Sequence, residues 1–185
     1  MILSILVLSL NSRKPFLDRL LSILQPQITS EVELLVETDS GERSIGQKRN
    51  SLIAKSQGKY VCFVDDDDVV SSDYVSKILE ATRTDPDCVG IHLLHYNDGK
   101  LGGLTYHNLK YRSWFESFDP VIGLMRYYRN PNHLNPIKRE HAVKCPFPDS
   151  SFGEDRDYSM NVLGYLNTQE VILEPIYVYL FRSNK

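Results

Sequence analysis

The chain has 185 residues, the size of one domain and enough to bury a core without disulfide or metal staples. A formal charge of −3, with 42% hydrophobic and 24% charged residues, is that of an ordinary globular protein and excludes bulk attraction to nucleic acid or anionic membrane. Three scattered cysteines (Cys62, Cys88, Cys145) contain no CxxC pair, so reduced thiols in a cytosolic protein are expected rather than a zinc site or a disulfide framework.

Residues 2–8 form an apolar run without a basic leading segment or a small-residue cleavage site, which reads as a buried strand rather than a signal peptide. No apolar run approaches the roughly 20 residues of a membrane helix. Pro15 can open a helix carrying Phe16, Leu17, Leu20, Leu21 and Leu24 at helical spacing until Pro26. Residues 32–36 read as a second strand. Ser44 can cap a helix to about Gln57, with Gly58 as its stop. Residues 60–64 are a third strand, cut off at Asp65. A helix over 72–82 and a strand over 89–96 follow. This alternation predicts an α/β fold with a mostly parallel sheet and right-handed crossovers.

The second half is less regular. Asn97-Asp98-Gly99-Lys100 predicts a hairpin turn. Residues 108–132, rich in aromatics and arginine, give no clear periodicity. Residues 154–166 suit a helix, and 171–181 have strand composition interrupted by Pro175. With no repeat or linker, residues 1–185 are expected to form one domain, with a ligand-binding half over about 1–96 and a second half over about 97–185.

The most informative stretch is Asp65-Asp66-Asp67-Asp68, directly after the third strand. Alternate side chains of an extended backbone share a face, which pairs Asp65 with Asp67. Carboxylates so crowded raise one another's pKa unless a cation sits among them. A hard ion such as Mg²⁺ or Mn²⁺ suits oxygen donors and bridges carboxylate to substrate phosphate. Ligands of open α/β sheets bind at the carboxyl ends of strands, where this run lies. A solvated acidic turn is the plain alternative.

Several segments, taken in order, resemble the GT-A glycosyltransferases of family 2. Leu8-Ser9-Leu10-Asn11-Ser12-Arg13 stands at the "PTYNR"-like loop, and Val36-Glu37-Thr38-Asp39-Ser40 at "VDDGS". Gly46-Gln47-Lys48-Arg49-Asn50, with Ala54 and Gly58-Lys59-Tyr60, is similar to the helix leading into "FvDdDD", and Glu154-Asp155 to the later "ED" pair. The resemblance implies a single GT-A domain whose Rossmann-like, mostly parallel sheet is flanked by helices, with a smaller mixed β portion in the C-terminal half. It implies transfer of a sugar, with inversion, from a nucleotide diphosphate, by default a UDP-sugar. Ser9, Glu37 and Asp39 would line the base pocket, and Arg49 would contact the nucleotide or its diphosphate. Asp65 would bond the ribose or assist the metal, and Asp67 would ligate Mn²⁺ or Mg²⁺. The four-aspartate run leaves Asp66 and Asp68 as alternatives by a shift of register. Asp155 would be the catalytic base beside Glu154, with Asp157 as fallback. His133 would touch metal, diphosphate or acceptor, and is at least as well read as a structural residue; apart from the resemblance, the Trp114 ring can stack on a sugar face, although a lone tryptophan is more often core.

Arg126, Arg129, Lys138, Arg139 and Lys144 stand against a single Glu140 over residues 126–144, with Tyr127 and Tyr128 among them. That local character is compatible with a nucleic-acid acceptor, whereas a glycan is the family default. The expected location is the cytoplasm, peripheral to a membrane or in a host cell if the source is viral. Two other classes share parts of this pattern. A sugar-nucleotide pyrophosphorylase would need a glycine-rich loop after the first strand, and residues 9–14 contain no glycine. A non-catalytic metal- or carbohydrate-binding module leaves the GQKRN segment and the ED pair without a purpose.

Overall fold

The computed structural model describes residues 1–183. Strand β1 (Leu3–Leu10) leads through a short turn into α1 (Lys14–Leu24), which Pro15 opens and whose Leu17, Leu20 and Leu24 face inward. Then come β2 (Val32–Asp39) and α2 (Ile45–Lys55). Ser44 caps α2 through a reciprocal box with Gln47, satisfying two otherwise orphaned donors. Strand β3 (Tyr60–Phe63) is followed by β4 (Val69–Val70), α3 (Tyr74–Ala81) and β5 (Cys88–Asn97). Strand β6 (Lys100–His107) returns beside β5 through the expected hairpin, with Asp98 and Gly99 at positive φ.

The stretch without periodicity in the sequence forms a hairpin, β7 (Phe115–Asp119) and β8 (Leu124–Arg129). The remaining elements are β9 (Ile137–Lys138), α4 (Arg139–Ala142), α5 (Glu154–Val162) and β10 (Gln169–Phe181). The sheet runs β2-β1-β3-β9-β5-β6-β8-β7, with β10 on β5 and β4 on β10. Pairing is parallel through β2-β1-β3, as the βαβ order requires, and mixed beyond. The two-residue β9 lies antiparallel between β3 and β5 and joins the two portions. Pro175 stays inside β10 because the β5–β10 register shifts on either side of it, which frees the ladder from needing its missing N–H.

Both faces of the first strands are covered. Leu3, Ile5 and Val7 pack with Leu17, Leu20, Val75 and Ile78 from α1 and α3. Leu6 and Leu8 pack on the opposite side with Leu52, Ile53, Tyr158 and Val162 from α2 and α5. This two-sided burial is why residues 2–8 read as a continuous apolar run. The three cysteines are free and buried. Among the described residues no helix is long and apolar enough to cross a membrane.

Candidate active site

A cavity of about 720 Å³ opens where β1 and β3 end. Ser9 from the last turn of β1, Arg13, Lys48 and Arg49 of α2, and Asp65, Asp66 and Asp67 form one side. Thr105, His107, Trp114, Tyr127, Arg129, His133 and the residues from Ser151 to Asp155 form the other.

Each aspartate of the acidic run has a different environment. Asp65 faces the Arg49 guanidinium at 3.3 Å and His133 Nε2 at 3.5 Å. Burial opposes its ionisation, but those two groups hold its pKa well below the usual carboxylate range. Asp66 takes a short hydrogen bond from Ser9 and a two-pronged pair from Arg13, through Nη2 at 2.6 Å and Nε at 2.9 Å. Asp67 lies 3.0 Å from the same Arg13 Nη2. Asp68 turns off the cavity wall into the core, where it accepts from the Tyr177 hydroxyl and the Leu180 N–H, each at 2.8 Å. Burial and the Asp65 charge push its pKa up to about 7. The register ambiguity of the run therefore has a spatial answer: Asp65, Asp66 and Asp67 line the cavity and Asp68 does not.

Helix α2 buries two cations on its cavity side. Lys48 Nζ is 2.8 Å from Asp39, whose pKa that ammonium lowers. Arg49 is 4% exposed, lies over the rings of Phe63 and Phe147 at 4.9 and 5.5 Å, and has Glu154 at 3.6 Å. Its Nε and Nη1 have no hydrogen-bond partner, and neither has His133 Nδ1. Buried polar atoms without a hydrogen bond are costly in a finished core and mark places where a ligand supplies the partner.

The loop before α5 is fastened to α2. Asn50 exchanges two hydrogen bonds with the Phe147 backbone, at 2.8 and 2.9 Å. Asp149 receives Ser44 and Gln47, Ser151 receives the Ile45 N–H, and the Gly46 N–H reaches the Ser150 carbonyl. Gly153 (φ 79°) makes the turn into α5, setting Glu154 and Asp155 on the cavity wall. Phe152 stands at the cavity edge 94% exposed. Across from it, His95 stacks on Tyr127 at 4.7 Å, and Arg129 lies over Trp114 at 4.9 Å and Tyr127 at 5.4 Å.

Of the residues singled out from sequence, Ser9, Arg49, Asp65, Asp66, Asp67, His133, Glu154, Asp155 and Trp114 share this cavity. Glu37 and Asp39 stand one layer behind it. Glu37 accepts Arg43, Ser51 and Lys55, and Asp39 holds Lys48, so they reach the cavity through Arg43 and Lys48. Asp157 is exposed and off the wall. The basic residues of 126–144 are dispersed: Arg126 pairs with Asp119, Lys138 with Asp85 and Asp87, and Arg139 reaches Ser56. The sequence assigns no role to Arg13, Lys48 or His107, and Arg129 enters it only as one of the basic residues over 126–144. Only a polar residue at the end of a buried strand or helix face hinted at them. His107 is fully enclosed, and burial pushes its pKa down to about 3 although Asn135 Oδ1 accepts from its ring.

A model of glycosyl transferase family 2 matches residues 17–135, well over half of the chain. The chain belongs to that family. No curated protein sequence matches it. Among solved structures, S. aureus TarS residues 1–349 with UDP-GlcNAc is similar at 16% identity and a TM-score of 0.75, over 100% of this chain and 60% of that one. The same protein with UDP gives 16% and 0.74, over 98% and 61%. A longer TarS structure gives 16% and 0.72, over 98% of this chain and 37% of that one. These likenesses establish the GT-A fold, and the chain spans about 60% or less of the neighbours' length.

Proposed function

We propose that the chain transfers a sugar from a nucleotide diphosphate, with a UDP-sugar as donor, to a hydroxyl of a glycan acceptor, inverting the anomeric carbon. One observation carries this: Arg49 Nη1 and His133 Nδ1, buried and without a hydrogen-bond partner, belong to the same cavity wall as the acidic run, with Asp155 on the same cavity. An anionic group is the ligand that completes Arg49. Family membership, and the UDP and UDP-GlcNAc complexes of the structural neighbours, support a uridine donor.

In this assignment Ser9 and Lys48 face the nucleotide, Asp39 and Glu37 hold Lys48 and Arg43 in place, and Arg49 binds the diphosphate. Among the described residues no three carboxylate, imidazole or thiol groups enclose a cation. The wall carries the carboxylates of Asp65 and Asp67, hard oxygen donors of the kind that suit a divalent ion. Asp67 and Asp65 would hold that Mn²⁺ or Mg²⁺. A bound ion there would supply Lewis-acid stabilisation of charge on the departing diphosphate. Asp155 takes the proton of the acceptor hydroxyl as the new C–O bond forms opposite the breaking bond to diphosphate. Arg126 and Lys138 are paired with carboxylates and Arg139 with Ser56 and the Ala54 carbonyl, which favours a glycan over a nucleic acid.

The test is a panel of nucleotide-sugars, followed for binding, hydrolysis and transfer with and without Mn²⁺. Saturable, Mn²⁺-dependent binding and turnover of a UDP-sugar is expected. No binding and no turnover of any nucleotide-sugar with Mn²⁺ or Mg²⁺ present would overturn the assignment.

A further inference from the structure

His107, the last residue of β6, lines the cavity although only 3% of it is exposed. A fully buried neighbour, Asn135, decides which of its ring nitrogens carries hydrogen. The Asn135 amide nitrogen donates to the Val89 carbonyl at 2.8 Å, and the amide oxygen accepts the Asn132 N–H at 3.0 Å. Those two bonds fix the orientation of the amide. Its oxygen therefore meets His107 Nδ1, 2.9 Å away, and Nδ1 must be the donor. Burial, reinforced by the charges of His133, Arg129 and His92, keeps the ring neutral. A neutral imidazole with its hydrogen on Nδ1 has a lone pair on Nε2. That leaves Nε2 as the polar atom His107 can offer the cavity, and it can only accept.

We propose that His107 Nε2 accepts a hydrogen bond from a hydroxyl of the donor sugar and so selects which sugar is bound, with Asn135 as the positioning residue that keeps it an acceptor. The chemistry favours a sugar over the diphosphate itself. A lone pair repels the oxygens of an ionised phosphate, whereas a hydroxyl supplies the hydrogen it needs. Given the nucleotide-sugar assignment above, on which this rests, the donor sugar is the nearer of the two sugars. The loop that carries Asn135 also holds His133 Nε2 3.5 Å from Asp65, and the His133 carbonyl accepts the Phe63 N–H at 2.8 Å at the end of β3. His107 is thus tied to the part of the wall assigned to the diphosphate, to which the donor sugar is attached. A sugar that lacks or misdirects the hydroxyl leaves a buried acceptor unpaired, the arrangement by which polar sites reject analogues.

His107 could instead serve only to hold Asn135, and two substitutions separate these roles with opposite signs. His107→Asn keeps an N–H where Nδ1 stood and has nothing at Nε2. His107→Gln reaches the place of Nε2 with an amide and gives up the bond to Asn135. Binding of UDP, UDP-glucose, UDP-galactose and UDP-GlcNAc, then of the monodeoxy forms of the tightest of them, is measured calorimetrically with Mn²⁺ and without acceptor. One monodeoxy form is expected to bind wild type roughly 5- to 150-fold more weakly than its parent, the range for a buried acceptor left without its donor. His107→Asn is expected to bind UDP as wild type does, but to hold the parent and that deoxy form alike. His107→Gln is expected to keep part of the discrimination. Discrimination kept by His107→Asn overturns the inference, as does a wild type indifferent to every monodeoxy form. A loss of UDP affinity equal to that of the sugar in both variants marks a structural role and overturns it too. A wild type that binds no nucleotide-sugar at all overturns the donor assignment as well.

Discussion

The Tyr177 hydroxyl donates to Asp68 at 2.8 Å while accepting the backbone N–H of Asp65 at 3.1 Å, so one buried side chain from β10 ties both ends of the acidic run. Tyr177→Phe removes both bonds without changing the packed ring. It leaves the Asp68 carboxyl with one donor fewer and the Asp65 N–H without an acceptor. A loss of about 1–3 kcal/mol is expected, measured as a lower midpoint of urea unfolding with an unchanged slope. A variant as stable as wild type would show that water replaces the hydroxyl.

The two carboxylates proposed to do different work separate by measurement. Asp67→Ala is expected to abolish Mn²⁺-dependent nucleotide binding. Asp155→Asn is expected to bind donor as wild type does, while transfer falls by roughly 10²- to 10⁴-fold, the usual contribution of a general base. Normal turnover in the second variant refutes Asp155 as the base.

Gly46 is sterically required. A Cβ there would lie 1.8 Å from the Pro148 carbonyl oxygen, a backbone atom with no rotamer to move away. Gly46→Ala is expected to cost about 1–3 kcal/mol, as overpacking does. It should also lower transfer more than donor binding, because the displaced loop carries Glu154 and Asp155. Thermal unfolding read alongside the two activities checks this; an unchanged melting temperature would contradict it.

Asp87 makes stability depend on acid. Burial opposes its ionisation, but the Asn167 and Thr168 N–H groups, His141 and Lys138 outweigh burial and hold its pKa below the normal value of about 3.9. A carboxyl whose folded pKa lies below its unfolded one stabilises fully above the unfolded value and loses that contribution as pH falls through the folded one. Asp87→Asn is therefore expected to cost roughly 1–3 kcal/mol at pH 7. The gap to wild type should narrow as pH drops from 4 towards 2, and a gap constant over that range in urea titrations would sink the assignment.

The first half of the fold was legible because its elements follow one rule each: continuous apolar strands, helices with a cap and a stop. The hairpin of β7 and β8 was not. Tyr127 and Arg129 point into the cavity while Tyr128 stacks on Tyr106 and Phe115 on the opposite face, so aromatic residues occupy both faces and no alternation of polarity survives. Strand β9, two residues long, is too short for any period. At the site, the carboxylates were visible as a cluster along the chain. Their partners were not, since Arg13 meets Asp66 across 53 positions and Tyr177 meets Asp68 across 109. Glu37 and Asp39 sit beside the right region, but long cations from α2 and its approach extend past them to the cavity.

The fastening of the segment ahead of α5 bears on how this protein can be changed. Asn50, Ser44, Gln47 and Asp149 act as rivets, whereas Phe152 at the tip touches mostly water. Diversity introduced at Phe152 would change the chemistry at the cavity edge while leaving the stiffness of the mount untouched. The same diversity at the rivets would melt the mount and teach nothing about choice. A library at this edge therefore starts from Phe152, with the rivets held constant.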